Sequence, residues 1–535
     1  MSDRSDAQTP KQPNIVLILV DDMGYSDIGC YGSEITTPNL DRLARGGVRF
    51  SQAYNCARCC PSRAALLTGL YPHQAGVGHM VGDYGVPEYQ GYLRDDCATI
   101  AEALRAGGYR TLMSGKWHVG GKQTPKDRDS WSAGDATHPH PLDRGFDEYY
   151  GTLCGAGSYF RPPTLCRGRE FVEPEGDGYY LTDAIGTEAA AMIGRAHDDG
   201  KPFFLYAAFT APHWPLHALE EDTARFRGRY TQGWDILRTA RHETLKGLGV
   251  LDSKWGISKR DETAPFWGDV PLSRRAWEDH KMAVYAAQVF AMDRAVGAIL
   301  NELETRDIFD DTLVVFVSDN GGCAEFCKED GHAANYLIPC RDGELPSVGN
   351  RPDRTPGDEH TFMSYELPWA HASNSPFRLY KCWTHEGGIS TPLIAHWPKG
   401  FGPGGVRHET CHFVDIMPTL LDAAGVAYPR EIEGRAIQPC EGESILDACR
   451  GTEWRRERPV FWEHQGNRAM RRGDLKLVSR FPGKWELYDM AGDRTETDDL
   501  TSRYTVETKE MAAAWDEWAA RIGVRDWNVP KSEWK

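Results

Sequence analysis

The chain has 535 residues, of which 40% are hydrophobic and 26% are charged, and this length suits a large α/β enzyme with a smaller appended domain. Its formal net charge of −17 argues against nucleic acid and against an anionic membrane surface as partners, because both bind clustered lysine and arginine. The same charge repels an anionic substrate, so attraction has to come from a local group of cations, helix N-termini or a metal.

No signal segment or membrane-spanning helix is predicted. Residues Met1–Pro13 contain no apolar stretch of signal-peptide length, and the longest apolar runs, such as Ile15–Val20 and Leu313–Val317, are as short as strands. We therefore expect a cytoplasmic protein. Fourteen cysteines in such a chain are more typical of free thiols than of a disulfide framework.

The first predicted element is a strand at Asn14–Val20, a continuous apolar run that ends abruptly at Asp21-Asp22. A run without a polar face is typical of a central strand that is covered on both sides. Because this kind of strand is common in sheets with helices on both faces, it already favours an α/β fold.

Two short helices and two further strands are predicted next. A helix is expected between Pro38 and Gly46, because proline suits the first turn of a helix and glycine its end. A second helix begins at the capping box formed by Thr99 and Glu102. The strands are Tyr109–Met113 and Pro202–Phe209.

A long helix and a second apolar strand complete the pattern. The apolar residues of one helix face step by three and four: Met282, Tyr285, Val289, Met292, Val296, Ile299 and Leu303. The strand Thr312–Val317 follows and ends in Ser318-Asp319-Asn320-Gly321-Gly322. Alternating strands and helices predict a large, mostly parallel, doubly wound sheet flanked by helices. Segments 120–180, 215–280 and 321–375 show weak periodicity and are predicted to be loops that wall a pocket.

The last part of the chain changes pattern and predicts a second, smaller domain. Short alternating runs occur at Val460–Glu463, Leu475–Val478 and Glu486–Tyr488, and a helix is expected near Val506–Ile522. We therefore divide the chain into a catalytic domain, residues 1–455, and a small C-terminal α+β domain with an antiparallel sheet, residues 456–535.

Two pairs of polar residues follow the two apolar strands and suggest a metal site. Asp21-Asp22 and Asp319-Asn320 each lie just past a strand, at the edge where ligand sites form in open α/β sheets. Three carboxylates and a carboxamide offer only hard oxygens, which suit Ca²⁺ or Mg²⁺. Either pair alone is equally well explained as loop residues or helix caps.

The cysteine cluster is the strongest candidate for a nucleophile. Pro61 suits the first turn of a helix, so Cys59 lies at or just before that helix's N-terminus, where the free N–H groups lower the pKa of a thiol. Arg63 lies one turn further along. These features alone allow a reactive thiolate, as in a cysteine phosphatase, or a buried structural thiol.

The segment Cys59-x-Pro61-Ser62-Arg63-x4-Thr68-Gly69 resembles the signature of type I sulfatases, the formylglycine-dependent arylsulfatases of the alkaline phosphatase superfamily. Further similar segments follow in order: Gly108-Tyr109-x-Thr111-x3-Gly115-Lys116-x-His118, Ala211-Pro212-His213, Ser318-Asp319-Asn320-Gly321, Phe377-x3-Lys381-x3-His385-Glu386-Gly387-Gly388, His412-x2-Asp415 and Trp485-Glu486-Leu487-Tyr488-Asp489. The resemblance covers nearly the whole chain and is greatest to the bacterial arylsulfatase branch. Two positions depart from the pattern: Cys60 stands where a small residue or serine is usual, and Leu70 where arginine is common.

The resemblance implies an enzyme that hydrolyses sulfate monoesters, aryl sulfate giving a phenol and inorganic sulfate. In that family a maturation enzyme oxidises the cysteine, here Cys59, to formylglycine. The hydrated aldehyde attacks sulfur and forms a covalent sulfoenzyme intermediate. One Ca²⁺, or Mg²⁺ in its place, is expected on Asp21, Asp22, Asp319 and Asn320, with residue 59 as a further ligand.

The resemblance also assigns roles by position. Arg63 and Lys116 are expected to stabilise the hydrated aldehyde and the sulfuryl oxygens. His118 is the expected base for release of sulfate. His213 and Lys381 are expected to protonate or support the leaving oxygen. His385, His412 and His73 match neighbouring segments and are interpreted as scaffold residues.

Three alternatives stay open on sequence alone. A phosphonate monoester or phosphodiester hydrolase would share the nucleophile and metal. A non-catalytic form would bind sulfate or glycan, although it would not need Lys116, His118 and His213 together. A cysteine phosphatase would not need the metal ligands. The alcohol half and the oligomeric state are left open, and the acidic composition favours a small diffusible ester.

Overall fold

The computed structural model of the protein describes residues 12–125 and 138–534. The expectation for Met1–Pro13 therefore lies almost wholly outside the described residues, as does part of the predicted loop 120–180. All 14 cysteines lie inside the described ranges and are free thiols, which confirms the expectation of no disulfide framework.

Strands and helices alternate along most of the described chain. The strands are β1 Asn14–Val20, β2 Val48–Tyr54, β3 Arg110–Gly115, β4 Glu148–Thr152, β5 Leu165–Arg167, β6 Glu170–Phe171, β7 Phe203–Ala208, β8 Thr312–Ser318, β9 Ser347–Val348, β10 Thr361–Phe362, β11 Ser390–His396, β12 Gly405–His412, β13 Glu431–Ile432, β14 Arg435–Ala436, β15 Val460–His464, β16 Asn467–Arg472, β17 Leu475–Ser479 and β18 Glu486–Asp489. The helices are α1 Pro38–Gly46, α2 Cys59–Thr68, α3 Ile100–Ala106, α4 Leu181–Asp198, α5 Glu220–Thr223, α6 Trp234–Gly247, α7 Leu272–Thr305, α8 Glu366–Ser373, α9 Glu386–Ile389, α10 Ile416–Ala424, α11 Leu446–Arg450 and α12 Thr505–Ile522.

A 10-stranded sheet runs through the large part of the molecule in the order β12-β2-β11-β8-β1-β7-β3-β4-β5-β6. Strands β8, β1, β7, β3 and β4 are mutually parallel, and β11 runs antiparallel to both β8 and β2. The prediction of a mostly parallel sheet is therefore confirmed.

Helices cover both faces of this sheet, as the apolar run of β1 predicts. Val16, Ile18 and Val20 pack into the layer that contains α4 and α7. Their neighbours Ile15, Leu17 and Leu19 face the other way, into the layer of α2, α3 and α10. Because successive side chains of a strand point to opposite faces, only an all-apolar strand can serve both layers.

The C-terminal segment forms a separate four-stranded antiparallel sheet, β15-β16-β17-β18, against which α12 packs. This confirms the predicted C-terminal antiparallel sheet, whereas the division at residue 455 stays a prediction. Buried apolar side chains of α12, such as Trp515 and Trp518, belong to the same core cluster as α2 and α3.

All three predicted loops are wrong in part. The segment 120–180 contains β4, β5 and β6 of the large sheet. The segment 215–280 contains α6 and the start of α7, which begins at Leu272, and 321–375 contains α8. Helix α6 buries Trp234, Arg238 and Arg241 together, and charged residues on a buried face obscure apolar periodicity. Helix α7 is long and apolar enough to cross a membrane, but 83% of its apolar window is buried, as in a core helix.

Candidate active site

Two neighbouring strands bring the two acidic pairs together. Val20 at the end of β1 pairs with Ser318 at the end of β8, so the residues that follow each strand are adjacent. The backbone N–H of Asp22 donates to Asp319 Oδ1 at 3.2 Å, and Asn320 Nδ2 donates to Asp22 Oδ1 at 2.7 Å. The structure thus places all four predicted metal ligands, Asp21, Asp22, Asp319 and Asn320, in one group, which we call the acidic cluster.

The carboxyl ends of β2, β3 and β7 meet at this same edge. Gly115 of β3 pairs with Ala208 of β7, which also pairs with Leu19 of β1, so Lys116 and the segment leading to His213 emerge beside the acidic cluster. Cys59 follows β2 across a short loop. The predicted catalytic side chains are all buried, with at most 4% exposure.

Cys59 begins helix α2, as its spacing from Pro61 predicts, and every residue of this helix is buried. Arg63, one turn along, donates from Nη1 to the carbonyl of Lys116 at 2.9 Å. Its Nη2 lies 3.1 Å from Asp21 Oδ2 and 3.0 Å from Asp319 Oδ2. Arg63 therefore links the nucleophile's helix to the acidic cluster.

Two lysines and a histidine surround the same carboxylates. Lys116 Nζ contacts Asp21 and donates to the carbonyl of Gly155. Lys381 Nζ lies 2.7 Å from Asp22 Oδ1. Burial alone would lower the pKa of Lys381, but Asp22 and other nearby groups raise it well above its ordinary value, so this lysine is protonated at neutral pH.

His213 is held on the other side of Asp22. Its Nε2 lies 3.4 Å from Asp22 Oδ2, and its Nδ1 lies 2.6 Å from the carbonyl of Trp214. Because a carbonyl only accepts, Nδ1 carries the proton of the neutral ring and Nε2 faces the cluster with its lone pair. Burial lowers the pKa of His213, although Asp22 opposes this shift.

Cys59, Cys60 and His118 form a second cluster beside the first. One ligand atom of each lies within 4.8 Å of the others, and Cys60 Sγ is 3.3 Å from His118 Nε2. A hydrogen bond from Cys60 lowers the pKa of Cys59 well below its ordinary value, against the effect of burial. Burial, together with Lys116, lowers the pKa of His118 to about 4, so the ring is neutral at pH 7.

The backbone at two of these residues adopts a left-handed conformation that non-glycine residues seldom take. The φ angle is 65° at Asp22 and 58° at His118. Each such residue costs on the order of 1 kcal/mol, and the cost is characteristic of positions whose side chains are held for a purpose. Gly155 gives His118 its room, since a Cβ there would lie 2.4 Å from Nε2.

The acidic cluster has the properties of a hard-cation site. Asp21 Oδ1 and Asn320 Oδ1 are buried acceptors with no hydrogen-bond partner among the described residues. Burial, and then the charge of Asp21, raises the pKa of Asp319 well above its ordinary value. A divalent cation would satisfy the free oxygens and offset the crowded negative charge, and oxygen-only donors fit Ca²⁺ or Mg²⁺.

The structure adds two residues that the sequence analysis did not select. Glu325 Oε1 accepts from Arg58 at 3.0 Å, and its Oε2 accepts from Trp214 Nε1 at 2.8 Å. Although burial opposes it, Lys381 and Arg58 lower the pKa of Glu325 below its ordinary value. Arg58 could have been selected from sequence because it directly precedes Cys59. Glu325 lies in a predicted loop, and no motif in the sequence indicates it.

The residues interpreted as scaffold lie outside the cluster. His73 contacts Glu463 at 2.8 Å, His412 caps the turn after β12 by accepting from Val414 N, and His385 lies 3.5 Å from Glu486. Four tryptophans near the predicted loops are buried in the main core, which favours packing over substrate contact: Trp214, Trp234, Trp255 and Trp267.

Comparison with known families gives matches over most of the chain. A family model described as Sulfatase matches residues 13–426. A second, described as N-sulphoglucosamine sulphohydrolase, C-terminal, matches residues 377–517. The second match spans the end of the large sheet and most of the C-terminal unit.

Individual relatives and structures are similar along nearly their whole length. An uncharacterized sulfatase of Schizosaccharomyces pombe is 31% identical, covering 96% of this chain and 94% of that protein. An arylsulfatase of Klebsiella aerogenes is 31% identical over 82% of this chain and 92% of its own. The crystal structure of Ps i-CgsB in complex with k-i-k-neocarrahexaose is 25% identical, with a TM-score of 0.66, covering 98% of this chain and 95% of that one.

Proposed function

Because this chain belongs to the sulfatase family and is a sulfuric ester hydrolase, we propose that it uses a formylglycine made from Cys59 to cleave sulfate monoesters, aryl sulfates among them, through a sulfated enzyme intermediate. The observation that carries this proposal is the position of Cys59 at the N-terminus of the buried helix α2. Beside it lie the cations Arg63, Lys116 and Lys381 and an acidic cluster with unpartnered oxygens. A formylglycine-generating maturation enzyme is then a required partner.

The acidic cluster supports one divalent cation, which we propose to be Ca²⁺, with Mg²⁺ as the alternative. Asp21, Asp22, Asp319 and Asn320 would hold it, with residue 59 as the fifth protein ligand. Such an ion lowers the pKa of a hydroxyl and withdraws charge from a sulfuryl oxygen. Formylglycine supplies a hydrated aldehyde, with one hydroxyl to attack sulfur and another whose deprotonation releases sulfate.

Arg63 and Lys116 are proposed to hold the negative charge of the ester. Arg63 is fixed by its contacts with Asp21, Asp319 and the Lys116 carbonyl, so its charge needs no reorganisation when substrate binds. Lys116 is anchored by the Gly155 carbonyl. In a site that excludes water, charges fixed in this way stabilise a developing anion more than mobile ones do.

Lys381 and His213 are proposed to serve the leaving oxygen, with Lys381 as the proton donor. Lys381 is protonated at neutral pH, whereas the neutral ring of His213 presents a lone pair at Nε2. His213 can therefore donate a proton from Nε2 to the leaving oxygen only after that nitrogen has been protonated.

His118 is proposed to be the base for release of sulfate. Its pKa of about 4 leaves the ring neutral at pH 7, and its Nε2 points toward the pair Cys59 and Cys60. The Sγ of Cys59 stands where an oxygen of formylglycine would be, so Nε2 lies on the side of the group whose proton must leave.

The test of this function is covalent and specific. Trypsin releases the fragment Cys59–Arg63, in which oxidation of one thiol to an aldehyde lowers the mass by about 18 Da. We expect that loss at Cys59 with Cys60 intact, together with release of sulfate from 4-nitrophenyl sulfate, and no release from Cys59→Ala. Hydrolysis by protein whose Cys59 is an unmodified thiol would refute the mechanism. A faster reaction with a phosphonate monoester would instead favour the sister activity.

A further inference from the structure

A cavity of about 390 Å³ opens beside Lys381, where the large sheet meets the C-terminal unit. Glu325, Tyr380 and Trp383 line it from one side, and Phe481 and Trp527 line it from the other. Since Lys381 is the proposed donor to the leaving oxygen, this cavity is where the alcohol half of a substrate would lie. Aromatic walls of this kind suit the faces of a ring.

Two cations from the C-terminal unit stack on the tryptophans of this cavity. The guanidinium carbon of Arg480 lies 4.6 Å from the ring centroid of Trp383, and Lys531 Nζ lies 4.3 Å from that of Trp527. Arg480 also acts electrostatically on Tyr380, a third wall residue. Neither cation has a side-chain hydrogen bond or carboxylate partner within the ranges 12–125 and 138–534.

The other charges at the cavity are already balanced. Glu325 is paired with Arg58 at 3.0 Å, and Lys381 with Asp22 at 2.7 Å. The unpaired charges next to the cavity are therefore the two cations stacked on its tryptophans, and both are positive on a chain whose formal net charge is −17. A local positive field on an acidic protein serves to attract an anionic group to that place.

We propose that Arg480 and Lys531 form a second anion subsite at the mouth of this cavity. The substrate class is then a ring that carries another anionic group besides the scissile sulfate, such as a multiply sulfated or carboxylated sugar. The proposal rests on the proposed function, because it concerns the alcohol half of the same ester. Stacking holds each cation against a tryptophan that lines the cavity, and the second anionic group provides the partner that both cations lack.

The test compares two substrates on each enzyme, a hexosamine monosulfate and the disulfate of the same ring. The variants are Arg480→Gln and Lys531→Gln, in matured protein. Lys484→Gln is the matched control, because it removes the same charge from the same loop as Arg480, whereas Lys484 stacks on neither tryptophan of the cavity. The readout is the ratio of kcat/KM for disulfate to that for monosulfate, which general damage to the enzyme does not change.

We expect each cavity variant to lower this ratio about tenfold, mostly through KM, as for the loss of one partly shielded charge a few ångströms from an anion. The wild-type ratio should fall with added salt, and Lys484→Gln should leave it unchanged. An equal effect of all three variants, or a ratio unaffected by Arg480→Gln and Lys531→Gln, would overturn the subsite. Failure of the matured wild type to release sulfate from either substrate would refute the proposed function itself.

Discussion

At the scale of single residues, Cys60 departs from the family signature and contacts His118, the proposed base. Its Sγ lies 3.3 Å from His118 Nε2, and burial raises its pKa well above the ordinary value, so it is a neutral thiol with one proton to donate. In matured protein, where residue 59 is no longer a thiolate that accepts this proton, we expect Cys60 to donate to His118 and help to position it.

Two replacements of Cys60 distinguish the effect of its hydrogen bond to His118 from the effect of the thiol group itself. Cys60→Ser keeps a donor next to His118 and should retain kcat within about threefold, whereas Cys60→Ala removes it and should lower kcat about fivefold, as for loss of one hydrogen bond of about 1 kcal/mol. Rates of sulfate release are divided by the aldehyde content at residue 59 from mass spectrometry. Equal rates for serine and alanine would show that the contact has no role.

Asp319 provides a test of the metal site that does not depend on catalysis. Asp319→Asn removes one of the three carboxylates in a cluster where free oxygens remain, so it should weaken Ca²⁺ binding by at least tenfold in isothermal titration calorimetry. Asp310→Asn, just before β8 and so at the opposite end of the strand, is the control and should bind Ca²⁺ as the wild type does. Unchanged affinity in Asp319→Asn would exclude this carboxylate as a ligand.

The sequence predicts the identity of the site residues better than their contacts. Asp21, Asp22, Asp319 and Asn320 converge because the strands before them are adjacent, which the apolar runs already suggest. The Cys60–His118 contact and the Arg58–Glu325 pair were not predicted, because each joins segments whose approach depends on loop conformation. The roles of Arg63, Lys116, His118, His213 and Lys381 stay predictions that the geometry supports.

At the scale of elements, the capping box predicted from the sequence is present at the start of α3. Thr99 accepts from the backbone of Glu102, and the Glu102 side chain accepts from Thr99, which confirms the capping box that begins α3. Thr99 Oγ1 also donates to the carbonyl of Arg144 at 2.8 Å, so the same hydroxyl ties α3 to a neighbouring segment.

Thr99→Ala should therefore destabilise the protein by about 1–2 kcal/mol, because it removes the cap and leaves a buried carbonyl with one partner fewer. The measurement is the shift of the urea midpoint followed by circular dichroism. The exposed Thr239→Ala on α6 is the control and should shift the midpoint little, since alanine favours a helix. A Thr99→Ala midpoint equal to that of the control would contradict the capping role.

Elements with uniform apolar runs were predictable, and mixed ones were not. Strands β1 and β8 are apolar throughout and were assigned within one residue of their ends. Strand β2, which leads to Cys59, has the sequence VRFSQAY, and its polar residues Ser51 and Gln52 are buried by partners far along the chain. Tertiary contacts of this kind leave no periodic signal.

At the scale of the whole molecule, a buried ion cluster joins the large sheet region to the C-terminal unit. Glu386 lies 2.7 Å from Lys476 Nζ and 3.2 Å from Arg494 Nε, and Lys476 also lies 2.7 Å from Glu496. All four side chains are fully buried or nearly so. Burial alone would raise the pKa of Glu386, but Lys476 and Arg494 lower it to about 2.

This shift makes the stability depend on pH in a defined direction. A carboxyl with a lowered pKa in the folded state contributes stability above its unfolded value of about 4.5, and that stability is lost as the pH falls from there toward 2. Glu386→Gln should therefore lower the unfolding free energy by on the order of 3 kcal/mol at pH 7 and by about half of that at pH 3.

Urea unfolding at a series of pH values measures this difference. The exposed Glu517→Gln on α12 serves as the control and should show the pH dependence of the wild type. A constant difference between Glu386→Gln and the wild type from pH 7 to pH 3 would show that the loss comes from packing and not from the charge of Glu386.

Helix α2 is buried along its whole length, and Cys59 at its head is only 1% exposed. A second enzyme that oxidises Cys59 has to reach its thiol, and in the finished fold every residue of α2 is buried. Under the proposed function, oxidation of Cys59 therefore belongs to the interval of synthesis before β8 and β11 close the sheet. Both strands lie more than two hundred residues downstream of Cys59. The maturation enzyme can therefore act on Cys59 while the later strands are still being synthesised.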